Sequence, residues 1–253
     1  MTSRTDACGA PDPALGASIK DIVRERYGRA ARQSGGAAGG ASCCGKSEAP
    51  APGGARSAFG CGDPLAMAGV LAGQSVLDVG SGPGDDALAA ARRVGPSGHV
   101  VGVDMTDAML ERARAAAATE KLSHVEFLRG DAESLPVPDR SMDWVISNCV
   151  VNLVPDKKRV FAEIFRVLKP GGRFSITDLV GENLPAELLA SAEAYCACIG
   201  GAPSEEDYMQ AIRQAGFADV DVVDRFAWEA PELEGTDAKV WSLKIIARRP
   251  AAA

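Results

Sequence analysis

The sequence is poor in histidine, in excess basic charge and in long apolar runs. Only two of its 253 residues are histidines, and the formal net charge of −7 leaves no basic surplus for a nucleic-acid partner. No apolar run is long enough to span a bilayer, and residues 1–13 lack the apolar centre of a signal peptide. These absences argue against nucleic-acid binding, membrane association and a histidine-based general base or metal site, and we predict a cytoplasmic enzyme.

Cysteine is the reactive side chain that the sequence does supply. Seven cysteines occur, an odd number, in an acidic chain of moderate size. In a reducing compartment such cysteines are more often thiols than parts of a disulfide framework. With 46% hydrophobic residues the chain can bury a sizeable core, and its length suits one domain with extensions. We therefore expect a folded domain that carries thiols.

The most informative stretch is Ser-Val-Leu-Asp-Val-Gly-Ser-Gly-Pro-Gly-Asp-Asp at residues 75–86. It begins as a short apolar run, typical of a buried strand, that is interrupted by Asp78. Glycines at every second position then end the run: Gly80, Gly82 and Gly84. They allow a tight turn and the close approach of a ligand to the backbone. Either Asp85 or Asp86 is expected to cap the helix that follows.

Acidic residues follow the next two predicted strands. The strand at 99–105 contains Asp104, about 20 residues beyond the glycines, where a carboxylate can accept hydrogen bonds from both hydroxyls of a ribose. Dinucleotide-binding proteins space their glycines as GxGxxG, whereas the spacing here is GxGxG, with Asp78 two residues before it. A third strand, at 125–128, precedes Gly-Asp-Ala-Glu at 130–133. Together these features resemble the cofactor motifs of the class I S-adenosylmethionine methyltransferases.

That resemblance implies S-adenosylmethionine as the cofactor and indicates the residues that contact it. Members of the family pass the methionine part of the cofactor along the glycines and place the acidic pair after the third strand beside the adenine. By position, the implied cofactor-binding residues are Asp78, Gly80, Gly82, Gly84, Asp104, Met105, Asp131, Ala132, Glu133 and Asn148.

Strands alternate with helices between residues 75 and 179, which predicts a mostly parallel α/β sheet with helices on both faces. Helices are also expected at 65–71 and 185–199. Two closing strands, at 219–226 and 241–248, match the antiparallel ending of the class I methyltransferase sheet. The expected fold is therefore a Rossmann-like sheet of seven strands, whose ligands bind at the carboxyl ends of the strands.

The chain is predicted to have three segments. Residues 1–56 combine an amphipathic helix over 15–27 with a Gly- and Ala-rich, cysteine-containing stretch that is expected to be flexible. Residues 57–180 form the cofactor-binding core. Residues 181–253 supply helices on the substrate side and the closing strands of the same domain.

Three cysteine-containing segments narrow the choice of methyl acceptor. Cys149 lies in Ser-Asn-Cys-Val-Val-Asn after the fourth strand, Cys198 begins Cys-Ile-Gly-Gly-Ala, and Cys61 lies in Gly-Cys-Gly-Asp-Pro. Over residues 57–217, together with the adjacent cysteines 43 and 44, the chain resembles the arsenite S-adenosylmethionine methyltransferases. Members of that family detoxify arsenic by binding trivalent arsenic through cysteine thiolates and transferring a methyl group to it.

The resemblance also implies a role for each cysteine. Cys149 and Cys198 correspond to the central pair of arsenic ligands, Cys61 to a third ligand, and Cys44 to an upstream cysteine that acts in early turnover. Cys196 is an additional thiol, two residues before the motif cysteine. On a continuous helix, Cys196 and Cys198 would face different directions, because residues i and i+2 diverge.

The chemistry of arsenic is consistent with this composition. Trivalent arsenic is soft and prefers thiolate ligands. Its lone pair makes it the nucleophile, so methyl transfer needs no general base, in keeping with the scarcity of histidine. A thiol reductant, glutathione or thioredoxin, is expected as a co-substrate, because cysteines that oxidise to a disulfide must be reduced again.

Two other functions are open from the sequence. A small-molecule C- or O-methyltransferase of the quinone or sterol type would use the same cofactor motifs, but it would favour a large apolar acceptor pocket and leave the cysteines without a role. A non-catalytic thiol sensor or metal-binding protein could use Cys43, Cys44 and Cys61 for zinc. Their spacing, however, does not form the paired CxxC units of structural zinc sites.

Overall fold

A seven-stranded sheet forms the centre of the protein in a computed structural model, which describes residues 13–33, 61–66, 68–229 and 233–251. The strands are β1 (Ser75–Val79), β2 (His99–Asp104), β3 (Val125–Arg129), β4 (Met142–Asn148), β5 (Leu168–Glu182), β6 (Ala218–Ala227) and β7 (Lys239–Arg248). Their order across the sheet is β3-β2-β1-β4-β5-β7-β6. Strands β1 to β5 pair in parallel, and β7 runs antiparallel to both β5 and β6.

Seven α-helices occur within the described residues. They are α1 (Pro13–Gln33), α2 (Asp85–Val94), α3 (Asp107–Thr119), α4 (Lys157–Val167), α5 (Ala186–Leu189), α6 (Ala192–Cys196) and α7 (Glu205–Gln214). Their local starts are readable in the sequence: Asp156 accepts a hydrogen bond from the backbone N–H of Arg159 at the start of α4, and Ser204 accepts one from that of Asp207 at the start of α7. The predicted seven-stranded Rossmann-like sheet is confirmed.

Both faces of the sheet are buried, which explains why the inner strand β1 is a nearly continuous apolar run. Val76 packs in a cluster with side chains of α2 and α3, whereas the next residue, Leu77, packs in a cluster with side chains of α4 and α7. A third cluster lies beneath α1 and α6 and contains Cys61, Cys149 and Cys198. Among the residues that the structure describes, no helix combines the length and apolar character needed to cross a membrane.

The helix predicted at residues 65–71 is wrong. Within the described part of this segment, residues 65 and 66 lie in a turn and a bend, and residues 68–71 have no regular secondary structure. The Asp63 carboxylate accepts hydrogen bonds from the backbone N–H groups of Leu65 and Ala66, at 2.8 and 2.9 Å, which closes a local turn. The Arg93 guanidinium then donates to the carbonyl groups of Leu65 and Ala68, at 2.7 and 3.3 Å, which a continuing helix would need for itself.

Two further helix predictions need correction. Gly84, rather than Asp85 or Asp86, is the N-cap of α2, and the two carboxylates lie in the first turn, where the helix dipole favours negative charge. The helix expected at 185–199 is split into α5 and α6, because Ser191 accepts a hydrogen bond from the backbone N–H of Ala194 and so begins a new helix.

Because α6 ends at Cys196, the expectation that Cys196 and Cys198 diverge on one helix does not apply. Cys198 instead lies beyond the helix, with φ of +67°. Both cysteines are buried in the same cluster. Helix α1 is also longer than the predicted 15–27.

Candidate active site at the carboxyl ends of the strands

A cleft opens at the carboxyl ends of β1, β2 and β4, where sheets of this kind bind their ligands. Its walls include Lys20, Val23, Tyr27, Gly80, Gly82, Asp104, Met105, Asp131, Ala132, Asn148, Cys149 and Val150. Most of the residues predicted to bind the cofactor therefore line a single cleft, and one of the predicted arsenic ligands lies on its wall.

The glycine turn forms the floor of the cleft. A Cβ atom on Gly80 would lie 2.2 Å from a methyl carbon of Val150, and the φ of Gly80 is +73°. Gly82, with φ of +50°, has open space where a Cβ atom would be, so the backbone there is accessible to a ligand. Gly84 does not line the cleft, and a Cβ atom on it would come within 3.1 Å of Ala113, which shows that this glycine permits close packing of α3.

Asp104 is placed to connect the turn with the second strand. Its two carboxylate oxygens accept hydrogen bonds from the backbone N–H groups of Gly82 and Thr106, at 2.9 and 2.8 Å. Burial raises the pKa of Asp104 in spite of these bonds, which act in the opposite direction. The Asp104 carboxylate thus stands on the cleft wall with its position fixed by the backbone.

Asp78 lies beneath the turn rather than on the cleft wall. It is 2% exposed, and burial, followed by repulsion from Asp86 and Asp104, raises its pKa well above the ordinary range. Within the described parts of the chain, the Oδ2 atom of Asp78 and the hydroxyl of Ser81 have no hydrogen-bond partner. Buried polar atoms without partners leave hydrogen-bonding capacity beside the cleft, which fits a polar ligand such as S-adenosylmethionine.

Helix α1 crosses the cleft and is held at two points. Lys20 forms ion pairs with Asp131, at 2.7 Å, and with Glu133, the acidic residues predicted to lie beside adenine. Burial alone would lower the pKa of Lys20, but its hydrogen bonds to both carboxylates outweigh burial and raise the pKa. The Tyr27 hydroxyl donates to the carbonyl oxygen of Cys196 at 3.2 Å. Helix α1 therefore links the acidic pair to the end of α6, which precedes the loop that carries Cys198.

The three cysteines predicted to bind arsenic lie together at the end of the cleft that is formed by Cys149. Cys61 and Cys149 form a disulfide, with Cα atoms 5.8 Å apart, across a sequence separation of 88 residues. The Sγ atom of Cys198 donates to the carbonyl oxygen of Cys149 at 3.1 Å. Cys61, Cys149 and Cys198 are 3%, 2% and 0% exposed. Folding thus gathers three distant sulfur-bearing segments against one wall of the cleft.

Comparison with known proteins gives three matches that bear on this site. A model of the methyltransferase domain matches residues 71–216, more than half of the chain. The arsenite methyltransferase of Halobacterium salinarum is 43% identical over 185 residues, which cover 73% of this chain and 46% of that protein. The crystal structure of an arsenic(III) S-adenosylmethionine methyltransferase from Chlamydomonas reinhardtii is 36% identical, has a TM-score of 0.68, and covers 77% of this chain and 68% of its own.

The chain belongs to the arsenite S-adenosylmethionine methyltransferase family. The arsenite methyltransferase of Aquipseudomonas alcaligenes is a further relative, 40% identical over 174 residues, which cover 66% of this chain and 50% of that protein. This chain spans about half the length of the curated relatives it matches.

Within this family member, the disulfide differs from the expectation that the cysteines are thiols. It joins Cys149 to Cys61 rather than to Cys198, the residue expected to form the central pair with Cys149. Cys196 and Cys198 lie outside the disulfide, both buried. Cys44 lies outside the described residues. The pairing depends on contacts between segments far apart in sequence, which spacing alone does not reveal.

Asn148, predicted to bind the cofactor, has its side-chain amide engaged elsewhere. Its Oδ1 atom accepts a hydrogen bond from the backbone N–H of Cys61 at 2.9 Å, and its Nδ2 atom donates to the carbonyl of Gly62 at 2.7 Å and to Asp86 at 3.0 Å. Burial raises the pKa of Asp86 to about 6. Asn148 lines the cleft but binds the segment that carries Cys61.

A second polar cluster, which the sequence analysis missed, supports the loop that carries Cys198. Asp178, fully buried, accepts hydrogen bonds from the Tyr208 hydroxyl and from the backbone N–H of Asn152, both at 3.2 Å. Burial raises the pKa of Asp178 to about 6. Asn152 in turn contacts the carbonyl of Cys198. The two asparagines of the segment Asn-Cys-Val-Val-Asn were the one sequence signal that could have pointed to this arrangement.

Proposed function

We propose that this chain is an arsenite methyltransferase that transfers a methyl group from S-adenosylmethionine to trivalent arsenic bound by Cys61, Cys149 and Cys198. The observation that supports it most is the meeting of these three residues at the cleft: Cys149 lines the cleft and is bonded to Cys61, and the Sγ atom of Cys198 lies 3.1 Å from the carbonyl oxygen of Cys149. Membership of the family supports the same assignment.

The residues that would hold the cofactor are those that line the cleft: Gly80, Gly82, Asp104, Met105, Asp131 and Ala132. Bound S-adenosylmethionine supplies a methyl group on a positively charged sulfur, which the lone pair of arsenic can attack. Asp104 would accept hydrogen bonds from ribose hydroxyls, and Asp131 lies on the side assigned to adenine. Three predicted cofactor residues do not line the cleft and would act indirectly. Asp78 would support the glycine turn, Gly84 would allow close packing of α3, and Glu133 would hold Lys20 by an ion pair.

Arsenic binding requires that the disulfide first be reduced, because the thiolate is the form that binds arsenic. Two equivalents of glutathione, or one reduced thioredoxin, convert the Cys61–Cys149 disulfide to two thiols and are themselves oxidised to a disulfide. Three cysteine thiols then replace the three hydroxyl groups of arsenite, and three water molecules leave. A cytoplasmic location would supply the reductant continuously.

The contribution of these cysteines to the methylation rate is mainly positional. Holding arsenic on three fixed sulfur atoms beside the cofactor makes the reaction effectively unimolecular, an effect that can supply about 7–11 kcal/mol. Methylation leaves arsenic pentavalent, and two electrons from a pair of thiolates return it to the trivalent state while the pair becomes a disulfide. Cys61 and Cys149 would be that pair. Two glutathione thiols then bind the methylarsenic that is still held by Cys198, a proton is released, Cys198 returns to its thiol form, and the site regains the form described above.

The direct test is to incubate the protein with methyl-labelled S-adenosylmethionine, arsenite and glutathione and to separate the products by chromatography. We expect labelled methylarsenicals. Cys149→Ser should lower their rate of formation on the order of 10²-fold, because the acceptor loses its fixed position. Cofactor binding, measured by calorimetry, should be retained. Normal arsenite methylation by Cys149→Ser would end the proposal.

A parallel reaction tests the alternative acceptor. With a demethylated quinone in place of arsenite, we expect no labelled product. Labelled quinone together with no methylarsenical would instead identify the chain as a small-molecule methyltransferase.

A further inference from the structure

Two asparagines flank Cys149 in the sequence, and each directs its side chain to a different cysteine segment. Asn148 precedes Cys149, and Asn152 follows it by three residues. The Cys149 residue between them has an uncommon left-handed backbone, with φ of +57°, and its N–H donates to the carbonyl of Thr177 at 2.8 Å. Cys149 is thus fixed to β5, and the asparagines act on what surrounds it.

The amide of Asn148 spans the first of these segments. It accepts from the N–H of Cys61 and donates to the carbonyl of Gly62, so it holds the backbone on both sides of this dipeptide. Its remaining amide hydrogen is directed to Asp86. Since a primary amide has two donor hydrogens, Asn148 has no donor left for a cofactor. Its hydrogen bonds therefore indicate a structural task rather than cofactor recognition.

The amide of Asn152 holds the second segment. Asn152 is completely buried, and its Nδ2 atom donates to the carbonyl of Leu179 at 2.7 Å and to the carbonyl of Cys198 at 3.3 Å. Cys198 also has a left-handed backbone, with φ of +67°, which a cysteine rarely adopts unless its surroundings impose it. Asn152 thus contacts the carbonyl of a residue that is held in this uncommon conformation.

We propose that Asn148 and Asn152 are positioning residues of the three-sulfur site. Asn148 holds Cys61 against Cys149, and Asn152 holds Cys198 against the same residue. That the three sulfur atoms bind arsenic rests on the proposed function, whereas the hydrogen bonds of the two asparagines do not depend on it. Among the described residues, the hydrogen bonds of the Asn148 side chain reach the Cys61 segment and those of the Asn152 side chain reach the Cys198 carbonyl, so removal of either asparagine should affect one cysteine and spare the other.

The first test needs no arsenic. The purified protein is equilibrated with mixtures of reduced and oxidised glutathione, and the Cys61–Cys149 disulfide is quantified by alkylation and mass spectrometry of the peptides. Asn148→Ala should reduce the equilibrium constant for this disulfide about tenfold, because two hydrogen bonds to the Cys61 segment are lost. Asn152→Ala should leave it within about twofold. An equal change in both variants, or none in Asn148→Ala, overturns the proposal.

Asn148→Asp is a second variant that keeps the test decisive if Asn148→Ala does not fold. It keeps the side-chain shape and the acceptor for the N–H of Cys61 but loses the donor to Gly62 and faces the Asp86 carboxylate. Combining it with Asp86→Asn restores a donor–acceptor pair between the two positions. The double variant should recover part of the disulfide equilibrium, whereas a loss as large as that of Asn148→Ala contradicts the positioning role.

The second test uses arsenite alone, added to the fully reduced protein and measured by equilibrium dialysis. As a single substitution, Asn152→Ala should weaken arsenite binding about tenfold. Added to Cys198→Ser, it should weaken binding no further, because the thiol that Asn152 positions is already absent. Additive losses in the double variant would mean a general structural role and overturn the proposal. If the unsubstituted protein binds no arsenite, the proposed function fails, and the glutathione experiment alone decides the role of Asn148.

Discussion

The proposed cofactor end of the cleft and the end that carries the cysteines, called the cofactor end and the thiol end below, are built in different ways. The cofactor end comes from neighbouring parts of the chain: the glycine turn follows β1, and Asp104 at the end of β2 reaches back 22 residues to the N–H of Gly82. The thiol end is assembled from segments around residues 61, 149, 178 and 198, and the two bonded cysteines have a sequence separation of 88. The comparison shows that a local backbone motif makes one end, whereas long-range polar contacts make the other.

The two ends meet at Gly80 and Val150, and this contact gives the largest expected effect. Gly80→Ala would bring a Cβ atom to 2.2 Å from Val150, next to Cys149, and would also be strained at φ of +73°. We expect a loss of about 2–5 kcal/mol in the free energy of unfolding, from overpacking and left-handed strain together. Urea denaturation measures it.

Gly82→Ala is the matched control, since its Cβ atom would meet nothing within 4 Å and only the strain at φ of +50° applies. It should cost about 1–2 kcal/mol. Equal losses in the two variants would mean that Val150 moves aside and that the two ends are not coupled at this contact.

The second prediction concerns the thiol end and the pH dependence of stability. The pKa of Asp178 is raised by burial from 3.8 to about 6, so this carboxyl binds its proton more tightly in the folded protein. The favourable contribution of this carboxyl to the free energy of unfolding is complete below the pKa of the unfolded state, 3.8, and is lost as the pH rises through 6. Relative to the unsubstituted protein, Asp178→Asn should therefore gain about 3 kcal/mol between pH 3.5 and pH 7.5.

Urea denaturation of Asp178→Asn and of the unsubstituted protein across this pH range measures that difference. Ser204→Ala, which removes a helix cap without a buried charge, serves as the control and should show a constant offset. A difference between Asp178→Asn and the unsubstituted protein that does not change with pH would contradict the buried-acid interpretation.

The third prediction separates the two ends by ligand. Asp104→Asn removes the charge from the carboxylate on the cofactor side, and we expect cofactor affinity to fall about 10- to 30-fold, as for loss of charged hydrogen bonds. Arsenite binding to the reduced variant should not change, because the hydrogen bonds of Asp104 to other described residues do not reach the segments of Cys61, Cys149 or Cys198. Calorimetry with each ligand checks this, and a loss of arsenite affinity would show that the ends are not separable.

The smallest effect is expected for the helix that covers both ends. Lys20→Met removes the ion pairs to Asp131 and Glu133, which are partly exposed, so the rate of amide hydrogen exchange in α1 should rise by no more than about fivefold. Added salt should have the same effect on exchange in the unsubstituted protein. Arg24→Met, whose ion pair lies within α1, is the control and should leave exchange unchanged. Equal exchange in Lys20→Met and the unsubstituted protein would show that these ion pairs do not hold α1 in place.

The cofactor end of the cleft was more predictable from the sequence than the thiol end. The alternation of strands and helices, the glycine turn and Asp104 were predictable because they depend on short patterns whose period and spacing already specify strand, turn and helix. The helix expected at 185–199 was wrong, because the Ser191 cap and the left-handed Cys198 divide it. Asn152 and Asp178 were missed because their partners are set by the fold, and a polar residue in a strand or loop does not show in sequence which carbonyl it will meet.

The central claim is that three cysteines hold one arsenic atom at the cleft, and X-ray absorption at the arsenic edge tests it most directly. With one equivalent of arsenite bound to the fully reduced protein, we predict three sulfur neighbours. That number should fall to two in Cys61→Ser, Cys149→Ser and Cys198→Ser and stay at three in Cys196→Ser. A sulfur count that is the same in Cys149→Ser and Cys198→Ser as in the unsubstituted protein would contradict the account.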